Sequence, residues 1–219
     1  MGADAGAAWP GAAWPGAAWP GAVWSDPDAA ADPGGRHLVV LLHGAGGVPH
    51  DMVPVFDVLP PGAVGVSLAG RLAVRDRHAW APVDRYDTAA FETSARTVAG
   101  WLTGLHGWSS VGLVGFSQGG AVAVQLLRAD PARFRSVVTL SSFLAPVRDA
   151  RDAAVAAVRP PVLCCHGDRD DVIPAPDAAR LRAWVDRCTR GTVRRYPGLA
   201  HTMDAAEVAD VGDFLAAPG

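Results

Sequence analysis

The sequence contains neither lysine nor asparagine, so all 19 of its basic side chains are arginine. The formal net charge is -3, and no long basic run is present, which argues against nucleic acid as a partner. The first positive side chain is Arg36, so the charged start of a secretory signal is missing. No uninterrupted apolar stretch reaches the length needed to span a bilayer. We therefore expect a cytoplasmic protein without a membrane span.

Cysteine is also scarce, with residues only at positions 164, 165 and 188. An odd and sparse set argues against a disulfide framework. The spacings do not match those of zinc ligands, so no metal site is expected. Cys164 and Cys165 lie in an apolar run and are predicted to be buried strand residues.

The N-terminal region is a short-period repeat. Three copies of Ala-Trp-Pro-Gly-Ala and one decayed copy occupy residues 8–24. Proline at every fifth position breaks both helix and strand, and the glycine after it favours turns. We expect residues 1–35 to be a flexible low-complexity arm, either an aromatic docking segment or a repeat expansion. Residues 36–219 are the predicted catalytic domain.

Short apolar runs alternate with segments of helical spacing from residue 36 onward. This alternation predicts a mostly parallel sheet with helices on both faces. Segment 71–85 lacks periodicity and is predicted to be a long loop. Ligands of such sheets bind at the carboxyl ends of the strands. The predicted strands are 37–42, 64–68, 111–114, 137–140, 162–165 and 193–196, and the predicted helices are 88–105, 118–127, 177–188 and 204–215.

A nucleophile motif follows the third predicted strand. Residues 115–119 read Gly-Phe-Ser-Gln-Gly, which matches G-x-S-x-G between a strand and a helix. In that context Ser117 is expected on a strained turn that presents its hydroxyl at the edge of the sheet. The first amide of the following helix, at Gln118, would face a developing oxyanion.

A serine hydroxyl needs a neighbouring base, and the expected chain order is serine, acid, histidine. His201 follows the last predicted strand and is the only histidine after the acid candidates. Three carboxylates, Asp168, Asp170 and Asp171, lie within four positions, and spacing alone does not choose among them. His43 and His166, also at strand ends, are interpreted as residues that shape the site.

A second oxyanion donor is expected from the glycine-rich loop 43–47. Its glycines allow backbone N–H groups to converge, with Ala45 as the predicted donor beside Gln118. The competing interpretation is a phosphate cradle. It is disfavoured because neither G-x-x-x-x-G-K-[ST] nor G-x-G-x-x-G is matched.

The set of motifs resembles the phospholipase/carboxylesterase family, which includes acyl-protein thioesterases. The resemblance covers roughly residues 36–217. It implies an α/β-hydrolase fold without a large cap domain, ester hydrolysis without a metal or organic cofactor, and a homodimer as a candidate assembly. In the family the acid lies four positions before a proline, which here is Pro174, so the resemblance selects Asp170. It also supports Ala45, because the family's donor follows the first glycine of the loop.

The predicted substrate is a small carboxylic ester. Trp80, Phe116 and Phe143 are candidate apolar walls beside Ser117, although Trp80 could equally be a loop anchor packed on the core. The short, arginine-rich segment 71–85 argues against long lipid acyl chains. Alternatives are a thioester or a dienelactone-type lactone as substrate, and a non-catalytic binding protein on the same fold.

Overall fold

The computed structural model describes residues 18–84 and 87–217. In these residues seven strands form one sheet of order β1-β3-β2-β6-β7-β8-β9, and β4 and β5 form a separate hairpin. Strand β1 is antiparallel to β3, and the other neighbours in the sheet are parallel. The strands are β1 (Val23–Trp24), β2 (His37–Leu42), β3 (Ala63–Leu68), β4 (Leu72–Val74), β5 (Arg77–Ala79), β6 (Ser110–Phe116), β7 (Phe134–Leu140), β8 (Pro161–Gly167) and β9 (Arg190–Tyr196).

Helices cover both faces of the sheet, and each face has its own apolar core. One core includes side chains of α1, α2, α3 and α4. The other includes side chains of a 3₁₀ helix, Pro49–Val58, and of α5. The α-helices are α1 (Thr88–Thr103), α2 (Gln118–Ala129), α3 (Asp152–Val158), α4 (Ala175–Cys188) and α5 (Ala205–Ala216). The predicted mostly parallel sheet with helices on both faces is confirmed.

Five of the six predicted strands are covered on both faces, and the sixth, the edge strand β9, is mostly exposed. In β2, five consecutive residues from Leu38 to Leu42 have no exposed surface. Alternate side chains enter opposite cores, so the run shows no polar alternation. Within the described residues, no helix is both long and apolar enough to cross a membrane.

Segment 71–85 differs from the predicted loop. Its first part folds as the antiparallel hairpin β4–β5, and this hairpin lies against the glycine-rich loop, where the amide of His78 donates to Gly47 O at 2.9 Å. Each strand is only three residues long, too short for a period-two pattern to be evident.

Residues 18–35 also differ from the predicted flexible arm. Trp19 is 7% exposed and lies in the core, and Val23–Trp24 adds β1 to the edge of the sheet. A short 3₁₀ helix, Pro27–Ala30, follows, capped by the Asp26 side chain. Pro27 begins this helix and Pro33 follows it, so the prolines border these short elements without preventing them from packing. The first two repeat copies, in residues 1–17, lie outside the described residues.

One helix start differs by two residues from the prediction. The predicted helix 177–188 begins at Ala175, so Asp177 lies in its first turn. Asp204 caps α5 by accepting from the Glu207 amide at 2.8 Å. Glu207 does not complete a capping box with Asp204, because its side chain is fully buried and its oxygens have no hydrogen-bond partner among the described residues.

Candidate active site

Ser117 lies on the turn between β6 and α2, at the carboxyl edge of the sheet. Its backbone has φ 52° and ψ -116°, a conformation that costs free energy for a residue with a side chain. The Ser117 amide donates to Leu140 O at 2.9 Å, and the Ser142 hydroxyl donates to Ser117 O at 2.8 Å. A Cβ on Gly115 would collide with the backbone of Gly119. The close approach of strand and helix at this turn therefore requires glycine.

His201 lies between β9 and α5 and contacts both of its predicted partners. Its Nε2 lies 3.1 Å from Ser117 Oγ, and its Nδ1 lies 2.8 Å from Asp170 Oδ2. Ser117 and Asp170 lie 84 and 31 positions before His201 in the chain. The structure therefore brings the predicted serine, histidine and acid into one hydrogen-bonded row.

The loop that carries Asp170 is joined to the loop that carries His201. The amide of Arg169 donates to Leu199 O at 3.0 Å, and Asp168 accepts from the Gly198 amide at 2.6 Å. Because these bonds cross from one loop to the other, they fix the distance between acid and imidazole. Asp168 therefore helps to hold the two loops together, whereas Asp171 is exposed.

Asp170 is held as a carboxylate despite its burial. Its side chain is 1% exposed, and Oδ1 accepts from the amides of Val172 and Ile173 at 3.0 and 2.9 Å. Burial favours the neutral acid, but the hydrogen bonds from His201 and from these amides outweigh it. The pKa of Asp170 therefore lies below its ordinary value. An ionised Asp170 accepts a hydrogen bond from the N–H at His201 Nδ1, which leaves Nε2 free to accept from the Ser117 hydroxyl.

His166 is a third neighbour of this carboxylate. Its Nε2 lies 3.2 Å from Asp170 Oδ2, and its side chain is 8% exposed. Burial lowers the pKa of His166, which favours the neutral ring beside Asp170. This position agrees with the interpretation of His166 as a residue that shapes the site.

The glycine-rich loop lies directly against the turn that carries Ser117. A Cβ placed on Gly44 would approach the Phe116 ring to 2.9 Å and Ser117 Cβ to 3.3 Å. The Gly47 amide donates to Gly44 O at 3.1 Å, which closes a tight turn with the exposed Ala45 near its tip. Gln118 begins α2, so its N–H has no partner within the helix. Both predicted oxyanion donors therefore belong to segments that meet at Ser117.

Trp80 differs from the predicted pocket wall. It is fully buried, its indole N–H donates to His43 O at 2.8 Å, and its amide donates to Gln118 Oε1 at 3.0 Å. The Ser94 hydroxyl donates to Trp80 O. A side chain with no exposed surface has no face to offer a substrate, so the structure favours the alternative of a loop anchor.

Phe116 and Phe143 are half-buried. The Phe116 ring lies 4.9 Å from the His201 ring, centroid to centroid. Phe143 packs edge-on against Phe91 of α1, with ring centroids 5.6 Å apart, and follows Ser142, whose hydroxyl donates to Ser117 O. Phe116 therefore lies directly beside His201, whereas Phe143 is connected to Ser117 only through the neighbouring Ser142.

The three cysteines are free and buried. Burial raises the pKa of the Cys164 thiol to about 11 and also raises that of Cys165, so neither is a thiolate at neutral pH. Across residues 18–84 and 87–217, no group of three or more His, Cys, Asp or Glu side chains could hold a metal ion.

Comparison with protein families adds an independent finding. The model of the phospholipase/carboxylesterase family matches residues 79–218 of the chain. The chain belongs to this family. The matched part includes Ser117, Asp170 and His201, while the glycine-rich loop and the tryptophan repeat precede it.

Relatives and solved structures agree with membership of the phospholipase/carboxylesterase family. The chain is 33% identical over 162 residues to the esterase-named protein NocK of Nocardia uniformis subsp. tsuyamanensis. That match covers 68% of this chain and 44% of the relative, so the chain spans less than half of the relative's length. The fold is similar to that of acyl-protein thioesterase 2 of Zea mays (TM-score 0.70, 20% identity, 89% and 96% of the two chains). It is also similar to a carboxylesterase of Mesorhizobium loti (TM-score 0.65, 20% identity, 84% and 90%).

The sequence did not reveal the hydrogen bond that holds the glycine-rich loop from behind. His43 was interpreted as a shaping residue without a stated partner, and Trp80 was considered only as a pocket wall or loop anchor. The structure joins them by the bond from the Trp80 indole to His43 O. The motif spacing gives no signal for this pair, because the contact is made through a main-chain carbonyl.

Proposed function

We propose that this member of the phospholipase/carboxylesterase family is a serine esterase that hydrolyses small carboxylic esters through an acyl-enzyme. The observation that carries the proposal is the row of Ser117 Oγ, His201 and Asp170 at 3.1 and 2.8 Å. Both distances lie within hydrogen-bond reach, as general-base activation of a hydroxyl requires.

In the proposed reaction, Ser117 Oγ attacks the ester carbonyl while His201 Nε2 takes the hydroxyl proton. The Asp170 carboxylate stabilises the imidazolium that forms. The amides of Ala45 and Gln118 donate to the oxyanion, and each such donor is typically worth about 3–4 kcal/mol in the transition state. His201 then gives its proton to the leaving alcohol. In the second half-reaction it activates a water that releases the acid from Ser117.

The test is turnover of p-nitrophenyl acetate and butyrate by the wild type and by Ser117→Ala. We expect the substitution to lower kcat by at least about 10³-fold, since removal of the nucleophile leaves only binding and the oxyanion donors. Ser136→Ala, at a serine far from the nucleophile turn on β7, is the matched control and should retain the wild-type rate. Equal rates for wild type and Ser117→Ala would end the proposal.

The same assay with other substrates identifies the class of ester that is hydrolysed. Matched oxygen and thiol esters of one acyl chain, together with a dienelactone, separate an esterase from a thioesterase and from a lactone hydrolase. We expect the highest kcat/KM for short-chain oxygen esters. A higher kcat/KM for thiol esters or for the lactone would show that this compound class, and not oxygen esters, is the substrate. The roles of Ser117 and His201 would stay as proposed.

A further inference from the structure

Trp19, in the third copy of the tryptophan repeat, contacts residues that lie behind the glycine-rich loop 43–47. The Trp19 indole N–H donates to Ala69 O at 3.0 Å, just beyond the end of β3. The ring lies 6.5 Å from the ring of Trp80, centroid to centroid. Trp19 is 7% exposed, so this hydrogen bond is shielded from water. A repeat that precedes the matched family region therefore reaches the interior beside the candidate active site.

The peptide group that Trp19 binds is itself bound to His43. Ala69 C=O and Gly70 N–H are the two ends of one peptide unit, and the Gly70 N–H donates to His43 Nε2 at 2.9 Å. Because Nε2 accepts, the neutral ring carries its proton on Nδ1. Burial lowers the pKa of His43 to about 4, which keeps the ring neutral at physiological pH. The tautomer of His43 is therefore fixed by its partners.

The other ring nitrogen of His43 binds the peptide unit of the predicted oxyanion donor. Nδ1 donates to Gly44 O at 2.6 Å. Gly44 C=O and Ala45 N–H belong to one planar trans peptide, in which the two groups point in opposite directions. Fixing the carbonyl toward His43 therefore directs the Ala45 N–H away from it. The indole N–H of Trp80 holds the His43 backbone from behind, through His43 O at 2.8 Å.

We propose that Trp19 is a positioning residue of the active site. It is the first donor of a hydrogen-bonded chain that runs through the Ala69–Gly70 peptide and the His43 ring to the Gly44–Ala45 peptide. This chain orients the Ala45 N–H toward the oxyanion, and each bond polarises the next in the buried interior. The inference rests on the proposed esterase function. It gives the third repeat copy the role of orienting an oxyanion donor without contacting the substrate.

The test compares Trp19→Phe with Trp24→Phe, a control that makes the same change in the next repeat copy. Trp24 stacks on Trp108 at 6.2 Å and contacts Trp101, on the outer side of the same aromatic cluster. We expect Trp19→Phe to lower kcat about fivefold with KM changed less than about twofold, because an oxyanion donor acts in the transition state. Trp24→Phe should retain both constants.

Affinity for phenylboronic acid supplies a second readout, since its tetrahedral adduct with Ser117 places an oxygen at the oxyanion position. The Kd should rise in Trp19→Phe by about the same factor as kcat falls, and stay unchanged in Trp24→Phe. Replacing Trp19 with 3-benzothienylalanine keeps the ring shape and removes only the N–H, so it should reproduce the kcat loss even if Trp19→Phe fails to fold.

A double-substitution cycle tests the route through the imidazole. If Trp19 acts through His43, Trp19→Phe should have no further effect on kcat in a His43→Ala background. Unchanged kcat and boronate affinity in both Trp19 variants, or an equal loss in Trp24→Phe, would show that Trp19 only stabilises the fold. The proposed function is tested separately, by the loss of turnover in Ser117→Ala, and that result does not depend on Trp19.

Discussion

Three carboxylates in the loop after β8 differ in what they bind. Asp170 contacts His201 at 2.8 Å, Asp168 accepts from Gly198 N at 2.6 Å, and Asp171 is exposed. Spacing in the sequence left all three open, since each could reach the rim of the sheet from one short loop. The family resemblance was needed to select Asp170. The physical difference between the three is burial, which sequence does not specify for adjacent loop residues.

Asp170→Asn should lower kcat by about 10³- to 10⁴-fold, because the amide stabilises neither the required His201 tautomer nor the imidazolium. The measurement is steady-state hydrolysis of p-nitrophenyl acetate. Asp168→Asn is the matched control and should stay within about threefold of the wild type, since its amide oxygen can still accept from Gly198 N. A larger loss in Asp168→Asn than in Asp170→Asn would show that the acid is assigned incorrectly.

Glu207 is a fully buried carboxyl whose two oxygens have no hydrogen-bond partner in the described part of the chain. Burial, with Asp204 and Asp210 nearby, raises its pKa to about 8 from an ordinary value of 4.5. Between those values the folded protein keeps a proton that the unfolded chain has lost. The free energy of unfolding should therefore fall as pH rises through this window, by up to about 1.4 kcal/mol per pH unit from this group.

Urea unfolding of the wild type and Glu207→Gln at a series of pH values from 5 to about 8 checks this expectation. Glutamine has the same shape and does not ionise, so the variant should lose the part of the pH dependence that Glu207 contributes. If the free energy of unfolding changes with pH equally in both proteins, Glu207 is already ionised in the folded state, or a local opening of the fold lets water reach it.

At the scale of elements, most of those that were predicted correctly are buried or long. Five of the six predicted strands were found because a parallel strand covered on both faces is a continuous apolar run, whereas β9, at the edge of the sheet, is mostly exposed. Hairpin β4–β5 and helix α3 were missed because three to seven residues are too few for a clear period. Strand β1 was missed because the surrounding prolines argued against regular structure, although Val23–Trp24 needs only two residues to pair with β3.

Helices α2, α3 and α4 are joined by one buried ion pair. Asp152 binds Arg128 through two bonds of 2.7 and 3.2 Å and accepts from the Trp184 indole at 2.7 Å. The Arg128 side chain has no exposed surface, and its guanidinium lies 5.5 Å from the centre of the Trp184 ring. Removal of the carboxylate would leave a buried positive charge without its partner.

Asp152→Ala should therefore lower the free energy of unfolding by about 3–5 kcal/mol, as expected for a broken buried pair. Arg180→Ala breaks the exposed pair with Asp177 in α4 and should cost about 1 kcal/mol or less. Both values are measured by urea unfolding at neutral pH. Similar small losses in the two variants would show that the Arg128 charge is solvated after the substitution.

At the scale of the whole molecule, the parallel sheet explains why distant residues meet. Ser117, Asp170 and His201 each follow the carboxyl end of a strand, and all such ends lie on one edge of the sheet. Sequence therefore sufficed to predict where these residues meet. It did not predict that Trp19 lies in the core, since a tryptophan in a proline-glycine repeat has no pattern that specifies its partner.

The proposed nucleophile is tested most directly by the site of covalent labelling by a fluorophosphonate. We predict one phosphonyl group per chain on Ser117, located by peptide mass spectrometry, and labelling that is much slower in His201→Ala. Intact protein that remains unlabelled, or a label on another residue, would contradict the proposed nucleophile and favour a non-catalytic binding protein on this fold.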